Sequence, residues 1–295
     1  MDSQYLRKNK IMKMKILIAD VLLAGKPNSD WKEGYELCYA FRSKGHECDV
    51  VGPNGLISEN DIPKISHNYD LIIITENYHQ YSGWTWWNWG SIDTPKLFWA
   101  IDTHLINFLP WVIESKIDYV AFNNPQDLDK YKLKNSFWMP YAASRLHQMI
   151  QYSDVKVRDV VFIGGMLPER KKICDKFGIV HLNAYGPEYI KEMQSSKICF
   201  NQSMSYDINA KYFEILSSGS FMLTNYNEYF HKYMDYNTDI EKMFYYSEDD
   251  LGEKIKYYLE NDNEREMIAL NAKEFIYSKH SWENRVQLIL DNVKL

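Results

Sequence analysis

Short runs of apolar residues alternate along this chain with longer stretches in which apolar and polar positions mix. The short runs are rich in Ile, Val and Phe, which is typical of strands buried on both faces of a parallel sheet. The longer stretches have apolar residues at helical spacing and end at glycine or at polar turns. Strands that alternate with helices from end to end predict parallel sheets in an α/β protein.

The pattern predicts two series of strands and several helices. The first series of strands comprises residues 15–19, 47–51, 71–75, 96–100, 118–122 and 136–139. The second series comprises residues 159–163, 180–182, 198–200, 221–224 and 243–245. The main helices are predicted at residues 31–44, 248–260, 264–277 and 281–290.

The length of 295 residues and the two strand series indicate two domains. A polar stretch at 148–158 separates the series, so we place the boundary at residue 150. The predicted parts are an N-terminal arm (1–14), a Rossmann-like domain (15–150), a second Rossmann-like domain (151–278) and a final helix (279–295) that crosses back to the first domain. Two doubly wound domains that face each other leave a cleft at the carboxyl ends of their strands, where ligands bind in such folds.

Composition and charge narrow the class of protein. Apolar residues make up 45% and charged residues 25%, as in ordinary globular proteins. The net charge of −6 gives no broad attraction to nucleic acid or to anionic lipid. No apolar run reaches membrane-spanning length and the start is polar, so we expect a cytoplasmic protein without a membrane span. The cysteines have no metal-binding spacing and are expected to be buried free thiols: Cys38, Cys48, Cys174 and Cys199.

Residues 209–224 carry the strongest chemical signal in the sequence. They predict a short helix that stops at Gly219 and leads into a buried strand, with Lys211 in the first turn and Glu214 about one turn later. A helix N-terminus offers N–H groups and a partial positive charge to a diphosphate. A carboxylate one turn further can accept both hydroxyls of a ribose. The residues alone fit a nucleotide site and an ordinary helix-to-strand turn with a surface glutamate equally well.

Several segments resemble one family of enzymes. Residues 40–50 (AFRSKGHECDV) resemble the first helix and second strand of many glycosyltransferases with two Rossmann-like domains, the GT-B fold. The C-terminal half resembles glycosyltransferases of the spore-maturation CgeB type, within the group 1 glycosyltransferases. The segments that carry this likeness are 197–201 (KICFN), 213–219 (FEILSSG), 257–261 (YYLEN), 264–265 (ER) and 280–282 (HSW), together with 98–104 (FWAIDTH) and 139–143 (MPYAA). The likeness covers nearly all of the chain after residue 14.

The resemblance implies transfer of a sugar from a nucleotide-activated donor, a UDP- or GDP-sugar, to a hydroxyl-bearing acceptor, with no metal and no other cofactor. The second domain would hold the donor and the first domain the acceptor. The acceptor is left open among a glycan, a protein, a small molecule and a modified nucleic acid. Two alternatives remain at this point: a non-catalytic module that binds nucleotide sugars, and a nucleotide-sugar epimerase of the same fold.

The chain departs from the family pattern at two positions. The family usually has an arginine where this chain has Lys211, and lysine neutralises phosphate without the bidentate fork of arginine. Many retaining relatives carry two glutamates at a fixed spacing. Glu214 matches the second of them, but Tyr206 stands at the first position, with Asp207 beside it. Retention or inversion of the anomeric centre therefore stays open.

The donor-binding candidates follow from the resemblance and from their places along the predicted strands and helices. Glu214 is expected at the ribose, and Lys211 with the backbone at Asn209 at the diphosphate. The glycine pair 164–165 follows a strand and could let the backbone approach an anion. The predicted donor-binding residues are Gly164, Gly165, Arg170, Asn201, Asn209, Lys211 and Glu214. Each of these signals also has a simpler interpretation. Lys211 could be a surface lysine, Asn201 could form a polar turn after a strand, and the 164–165 pair could form an ordinary Gly-Gly turn.

The catalytic and acceptor-binding candidates lie in the first domain. Asp102 and His104 follow the predicted strand 96–100 and are the predicted catalytic pair, because a histidine at the cleft can contact a sugar hydroxyl or take a proton from the acceptor. Asp102 could instead cap the following helix. The predicted acceptor-binding residues are Glu76, Trp84, Trp86 and Trp87. The indole-rich segment 84–89 would stack on a sugar or base, fill a packing gap or contact another protein.

Overall fold

The computed structural model of the protein describes residues 13–19, 33–51, 61–75, 89–101, 103, 107–151, 155–204 and 207–295. These residues form two lobes, each built on one parallel sheet. The structure therefore confirms the predicted α/β class with two doubly wound units. Across the described residues, no helix combines the length and the apolar character needed to span a bilayer.

The first lobe contains a six-stranded parallel sheet in the order β2-β1-β3-β4-β5-β6. Its strands are β1 (Lys15–Ala19), β2 (Glu47–Val51), β3 (Leu71–Thr75), β4 (Lys96–Ala100), β5 (Tyr119–Phe122) and β6 (Ser136–Trp138). Its helices are α1 (Glu33–Ser43), α2 (Ile62–Ile65), α3 (Leu109–Glu114) and α4 (Gln126–Tyr131). The central strands β3 and β4 are buried along their whole length, which explains why their sequences are apolar runs without alternation.

The second lobe contains a five-stranded parallel sheet in the order β11-β10-β9-β7-β8. Its strands are β7 (Arg158–Ile163), β8 (Val180–Leu182), β9 (Ser196–Asn201), β10 (Met222–Asn225) and β11 (Phe244–Tyr245). The helices that follow β6 are α5 (Arg145–Met149), α6 (Pro168–Phe177), α7 (Pro187–Gln194), α8 (Ala210–Ser217), α9 (Glu228–Tyr233), α10 (Thr238–Lys242), α11 (Glu248–Glu260), α12 (Asp262–His280) and α13 (Trp282–Asn292). Strand β9 is longer than predicted at both ends, because its terminal polar residues still pair in the ladder.

Local sequence signals fix the ends of the helices nearest the site. Gly219 has a φ of +74° and ends α8, with its N–H donating to Leu216 O (3.1 Å) and that of Ser220 to Ile215 O (3.3 Å). This pattern satisfies the last carbonyls of the helix and needs a residue that tolerates positive φ. Ser281 begins α13 through a capping box with Asn284. The predicted stop at Gly219 is confirmed.

The last helix packs against the first lobe. Trp282 and Val286 of α13 are buried in the hydrophobic cluster that contains β1, β3 and β4 side chains, and the Trp282 ring meets that of Trp99 edge-on at 5.6 Å. The buried guanidinium of Arg285 donates hydrogen bonds to the carbonyls of Pro140 (2.8 Å) and Tyr141 (2.7 Å). The C-terminal helix therefore joins the lobes through apolar packing and through the hydrogen bonds of Arg285 to the segment between β6 and α5.

All four cysteines are buried free thiols, as the sequence predicts. Cys38 and Cys48 lie in the core of the first lobe, and Cys174 and Cys199 in that of the second. They contribute apolar packing.

Candidate functional site

The first turn of α8 lies at the carboxyl edge of the second sheet. Asn209 caps this helix, because its Oδ1 accepts a hydrogen bond from Lys211 N (3.1 Å). Asn201, the last residue of β9, is fully buried; its Oδ1 accepts from Asn209 Nδ2 (3.5 Å) and its Nδ2 donates to Thr224 Oγ1 (3.3 Å). Asn201 was predicted to bind the donor, but its side chain is buried and bonded to Asn209 and Thr224. It supports the helix cap from below.

Lys211 reaches from α8 to the glycine that follows β7. A Cβ atom on Gly164 would lie only 2.7 Å from Lys211 Nζ and 2.8 Å from Cε. Gly164 also has a φ of +142°, which favours glycine, so the backbone and the close approach both require this residue type. Burial lowers the pKa of the Lys211 ammonium, while Glu214 acts in the opposite direction. Among the described residues, none accepts a hydrogen bond from this ammonium.

Glu214 is half-buried one turn further along α8. Its Oε2 accepts a hydrogen bond from the Tyr189 hydroxyl (2.8 Å). Burial and the neighbouring Glu214 carboxylate hold the pKa of Tyr189 well above its ordinary value, so the phenol stays protonated and keeps donating. Behind the helix, buried His147 donates from Nδ1 to the Glu214 carbonyl oxygen (3.1 Å). The structure therefore holds the half-buried Glu214 carboxylate against Tyr189, close enough to Lys211 to act on the pKa of its ammonium.

Arg170 closes the other side of the site. Its guanidinium donates to the carbonyl oxygens of Gly165 (2.9 Å) and Gln202 (3.0 Å), which ties the loop after β7 to the loop after β9. Burial lowers the pKa of Arg170, and Asp207 offsets part of that effect. Arg170 is also close enough to lower the pKa of Lys211. Two cations therefore share this edge of the sheet, a favourable environment for an anion.

The first lobe contacts the second lobe immediately before α8. Asn123 and Asn124 follow β5 at the carboxyl edge of the first sheet, and both are buried. Asn123 Nδ2 donates to Asp207 Oδ1 (3.4 Å) and to Ile208 O (3.3 Å), while Ile208 N donates to Asn124 Oδ1 (3.2 Å). This pair was not among the site residues predicted from the sequence, although polar residues directly after a buried parallel strand are a typical signal of a site at that edge of the sheet.

Several predicted residues lie outside the described residues. The catalytic candidates Asp102 and His104, and the acceptor candidates Glu76, Trp84, Trp86 and Trp87, all belong to this group, as does Tyr206. At the end of the indole-rich segment, Trp89 is described and is buried in the core of the first lobe.

Within the described ranges, no three His, Cys, Asp or Glu side chains converge in a way that could hold a metal ion.

Known proteins resemble this chain in its second lobe and in its overall fold. Residues 166–291 match a family model described as "Glycosyl transferase-like". No curated protein has a sequence that matches the chain significantly.

Solved structures align over almost the whole chain. An alpha-glucosyltransferase in complex with UDP and a 13-mer DNA is 13% identical, with a TM-score of 0.67, and the match covers 95% of this chain and 99% of that one. The protein HepE of Anabaena in complex with UDP and glucose is 12% identical, with a TM-score of 0.59 and coverage of 94% and 98%. Sucrose-phosphate synthase from Thermosynechococcus elongatus is 11% identical, with a TM-score of 0.56 and coverage of 94% and 98%.

At these identities the likeness establishes the fold. The matched family model begins directly after the glycine pair 164–165 and includes α8 with Lys211 and Glu214. The chain therefore has the GT-B fold, with two Rossmann-like domains, and its second lobe contains the stretch that is similar to the glycosyl transferase-like family.

Proposed function

We propose that this protein is a glycosyltransferase that moves a sugar, a hexose or a related glycosyl group, from a UDP-sugar to a hydroxyl-bearing acceptor. The observation that carries the proposal is the Lys211 ammonium. It is held against Gly164 at the capped start of α8, it is partly desolvated, and no described residue accepts a hydrogen bond from it. A diphosphate placed there would receive the charge of Lys211 and the first N–H groups of the helix.

The remaining groups of the site suit the rest of a nucleotide sugar. The Glu214 carboxylate, oriented by Tyr189, can accept hydrogen bonds from ribose hydroxyls. When the bond between sugar and diphosphate breaks, negative charge grows on the leaving diphosphate, and Lys211 with the α8 N-terminus would stabilise it. A UDP donor is supported by the UDP and UDP-glucose bound in the structural relatives.

The acceptor side of the proposal rests on the sequence. We assign the acceptor to the first lobe, with Glu76 and the tryptophans of 84–87 as contacts and His104 with Asp102 as the catalytic pair. We further propose that no metal or other cofactor takes part, so that the cations of the second lobe neutralise the diphosphate. The acceptor class stays open, because the relatives that align with this chain include a DNA-bound glucosyltransferase and a sucrose-phosphate synthase.

Isothermal titration with UDP tests the donor site. We expect Lys211→Met to weaken UDP binding by about tenfold or more, because a hydrogen bond to a charged group is worth roughly 1.5–3 kcal/mol. Glu214→Gln should also weaken UDP but not free phosphate. Lys171→Met is the matched control, since that lysine is exposed and pairs with Asp175 on α6. Equal affinities for Lys211→Met and the control would refute the assigned pocket.

Mass spectrometry of donor reactions separates the enzyme from its alternatives. With a UDP-sugar and a panel of acceptors, a glycosyltransferase releases UDP and forms a heavier acceptor. His104→Ala should abolish transfer while UDP still binds, and excess EDTA should leave the rate unchanged. Donor binding without turnover would identify a binding module. A UDP-sugar of unchanged mass that chromatography resolves as a new epimer would identify an epimerase.

A further inference from the structure

A cavity lies at the opposite edge of the second sheet from the candidate site. It has a volume of about 280 Å³, and its wall includes Lys197 near the start of β9 and Gly219 just before β10. The candidate site surrounds the far ends of the same strands, at Asn201 and after β7. Because the strands are parallel, the length of the sheet separates the two places.

The wall of this cavity is strongly cationic in a chain whose net charge is −6. It contains four basic side chains and one acidic side chain: Lys156, Lys197, Arg265, Lys273 and Glu266. Three of the basic groups have partners, since Lys156 Nζ donates to Gln194 O (2.6 Å), and Lys197 and Arg265 pair with acids at 2.8 and 2.6 Å.

Lys273 of α12 is different from these three. Neither a hydrogen bond nor an ion pair joins its ammonium to another described residue, and burial lowers its pKa with no neighbouring carboxylate to oppose the effect. Its stem lies against Gly219, where a Cβ atom would come within 3.2 Å of Lys273 Cδ. A partly buried cation without a counter-charge is costly, and an anion would offset that cost.

The end of α8 does not explain the position of Lys273. Cations often lie at helix C-termini to satisfy free carbonyls. Here the backbone N–H groups of Gly219 and Ser220 already bond to the carbonyls of the last turn. The Ser218 carbonyl accepts from Gln194 Nε2 (3.1 Å). The hydrogen bonds at the end of α8 therefore do not involve the Lys273 ammonium.

We propose that this cavity is a second ligand site, which binds a small molecule through a phosphoryl group placed at Lys273. A phosphoryl group suits it because three acceptor oxygens can meet several separate donors, and a lysine ammonium serves it as a point charge. Leu270, half-exposed at the rim, and buried Phe221 supply an apolar wall for a small organic part. The volume of about 280 Å³ lies near the lower end of the range for small-molecule sites, which suits a ligand of this size.

Inorganic phosphate is the probe for this site. The melting temperature of the protein is measured in increasing phosphate, against potassium chloride at the same ionic strength and against acetate. The Lys211→Met background weakens phosphate binding at the candidate site, and adding Lys273→Met to it isolates the phosphate bound in the cavity, so the outcome does not depend on the proposed function. We expect phosphate to raise the melting temperature of Lys211→Met, acetate to act far more weakly, and the added Lys273→Met to weaken phosphate binding by about tenfold or more.

Two further substitutions keep the test decisive if Lys273→Met folds poorly. Leu270 and Met267 are both 55% exposed on α12, but only Leu270 lines the cavity. Leu270→Glu should weaken phosphate binding by charge repulsion, whereas Met267→Glu should leave it unchanged. The proposal is wrong if phosphate gives no shift beyond chloride in the Lys211→Met background, or if both glutamate variants respond alike.

Discussion

The substitution of Gly164 by alanine tests the central contact of the candidate site. The added Cβ would lie 2.7 Å from Lys211 Nζ and 2.8 Å from Lys211 Cε, both inside the closest distance that such atoms adopt. The end of the lysine must therefore move away from the start of α8. The backbone also resists the change, because Gly164 has a φ of +142°.

The backbone strain and the displacement of Lys211 each have an expected free-energy cost. A side chain held at a glycine-only backbone conformation costs roughly 1–3 kcal/mol of stability. Moving the ammonium from the diphosphate position removes a charge-assisted hydrogen bond worth about 1.5–3 kcal/mol, which corresponds to UDP binding that is roughly ten- to one-hundred-fold weaker. A stability loss of this size leaves a typical domain folded.

The neighbouring glycine provides a matched control. Gly165 has an ordinary φ, and a Cβ added there would meet no atom within 4 Å. Gly165→Ala should therefore stay within about 1 kcal/mol of the wild type in stability, and it should weaken UDP binding less than Gly164→Ala does, because it leaves the Lys211 ammonium in place. Urea denaturation gives the free energy of unfolding of each variant, and isothermal titration gives the affinity for UDP.

The paired result decides between two explanations. If Gly164→Ala loses stability but binds UDP as tightly as Gly165→Ala, Lys211 has no part in holding the diphosphate. If the two variants are equally stable, the backbone conformation described for the loop after β7 is wrong.

Two further predictions concern the junction of the lobes. Arg285→Met should lower the free energy of unfolding in urea by about 3 kcal/mol, because the carbonyls of Pro140 and Tyr141 lose their charged donor. Lys279→Met, at an exposed position, should change this free energy little. Equal losses in the two variants would show that the Arg285 hydrogen bonds do not stabilise the junction. Burial and Arg285 lower the pKa of His280 to about 4, so the unfolded chain binds a proton at higher pH than the folded chain does. Stability that is complete above about pH 6.5 should therefore fall by roughly 3 kcal/mol between pH 6.5 and 4, and His280→Gln should flatten this slope. Part of the pH dependence should remain in His280→Gln, because burial also lowers the pKa of His147. If His280→Gln leaves the whole pH dependence of stability unchanged, His280 is not its source.

The architecture of the protein follows from local signals in the amino-acid sequence. The apolar runs of β3 and β4 and the glycine stop after α8 are local signals, since a strand buried on both faces has no polar alternative and a left-handed C-cap favours glycine. The order of these elements predicted two parallel sheets, and the observed sheets confirm it. The same signals located the helix that carries Lys211 and Glu214.

The side chains that surround α8 depend on long-range packing, which the sequence pattern does not reveal. Tyr189 and His147 are far from Glu214 in sequence, and only the packing of α7 and α5 against α8 brings them to its carboxylate and carbonyl. Asn201 likewise became a buried support, because β10 lies beside β9 and supplies Thr224. The approach of Lys273 to Gly219 likewise depends on the packing of α12 against the end of α8. Such contacts join residues whose separation along the chain carries no periodic signal, so the pattern of apolar and polar positions cannot reveal them.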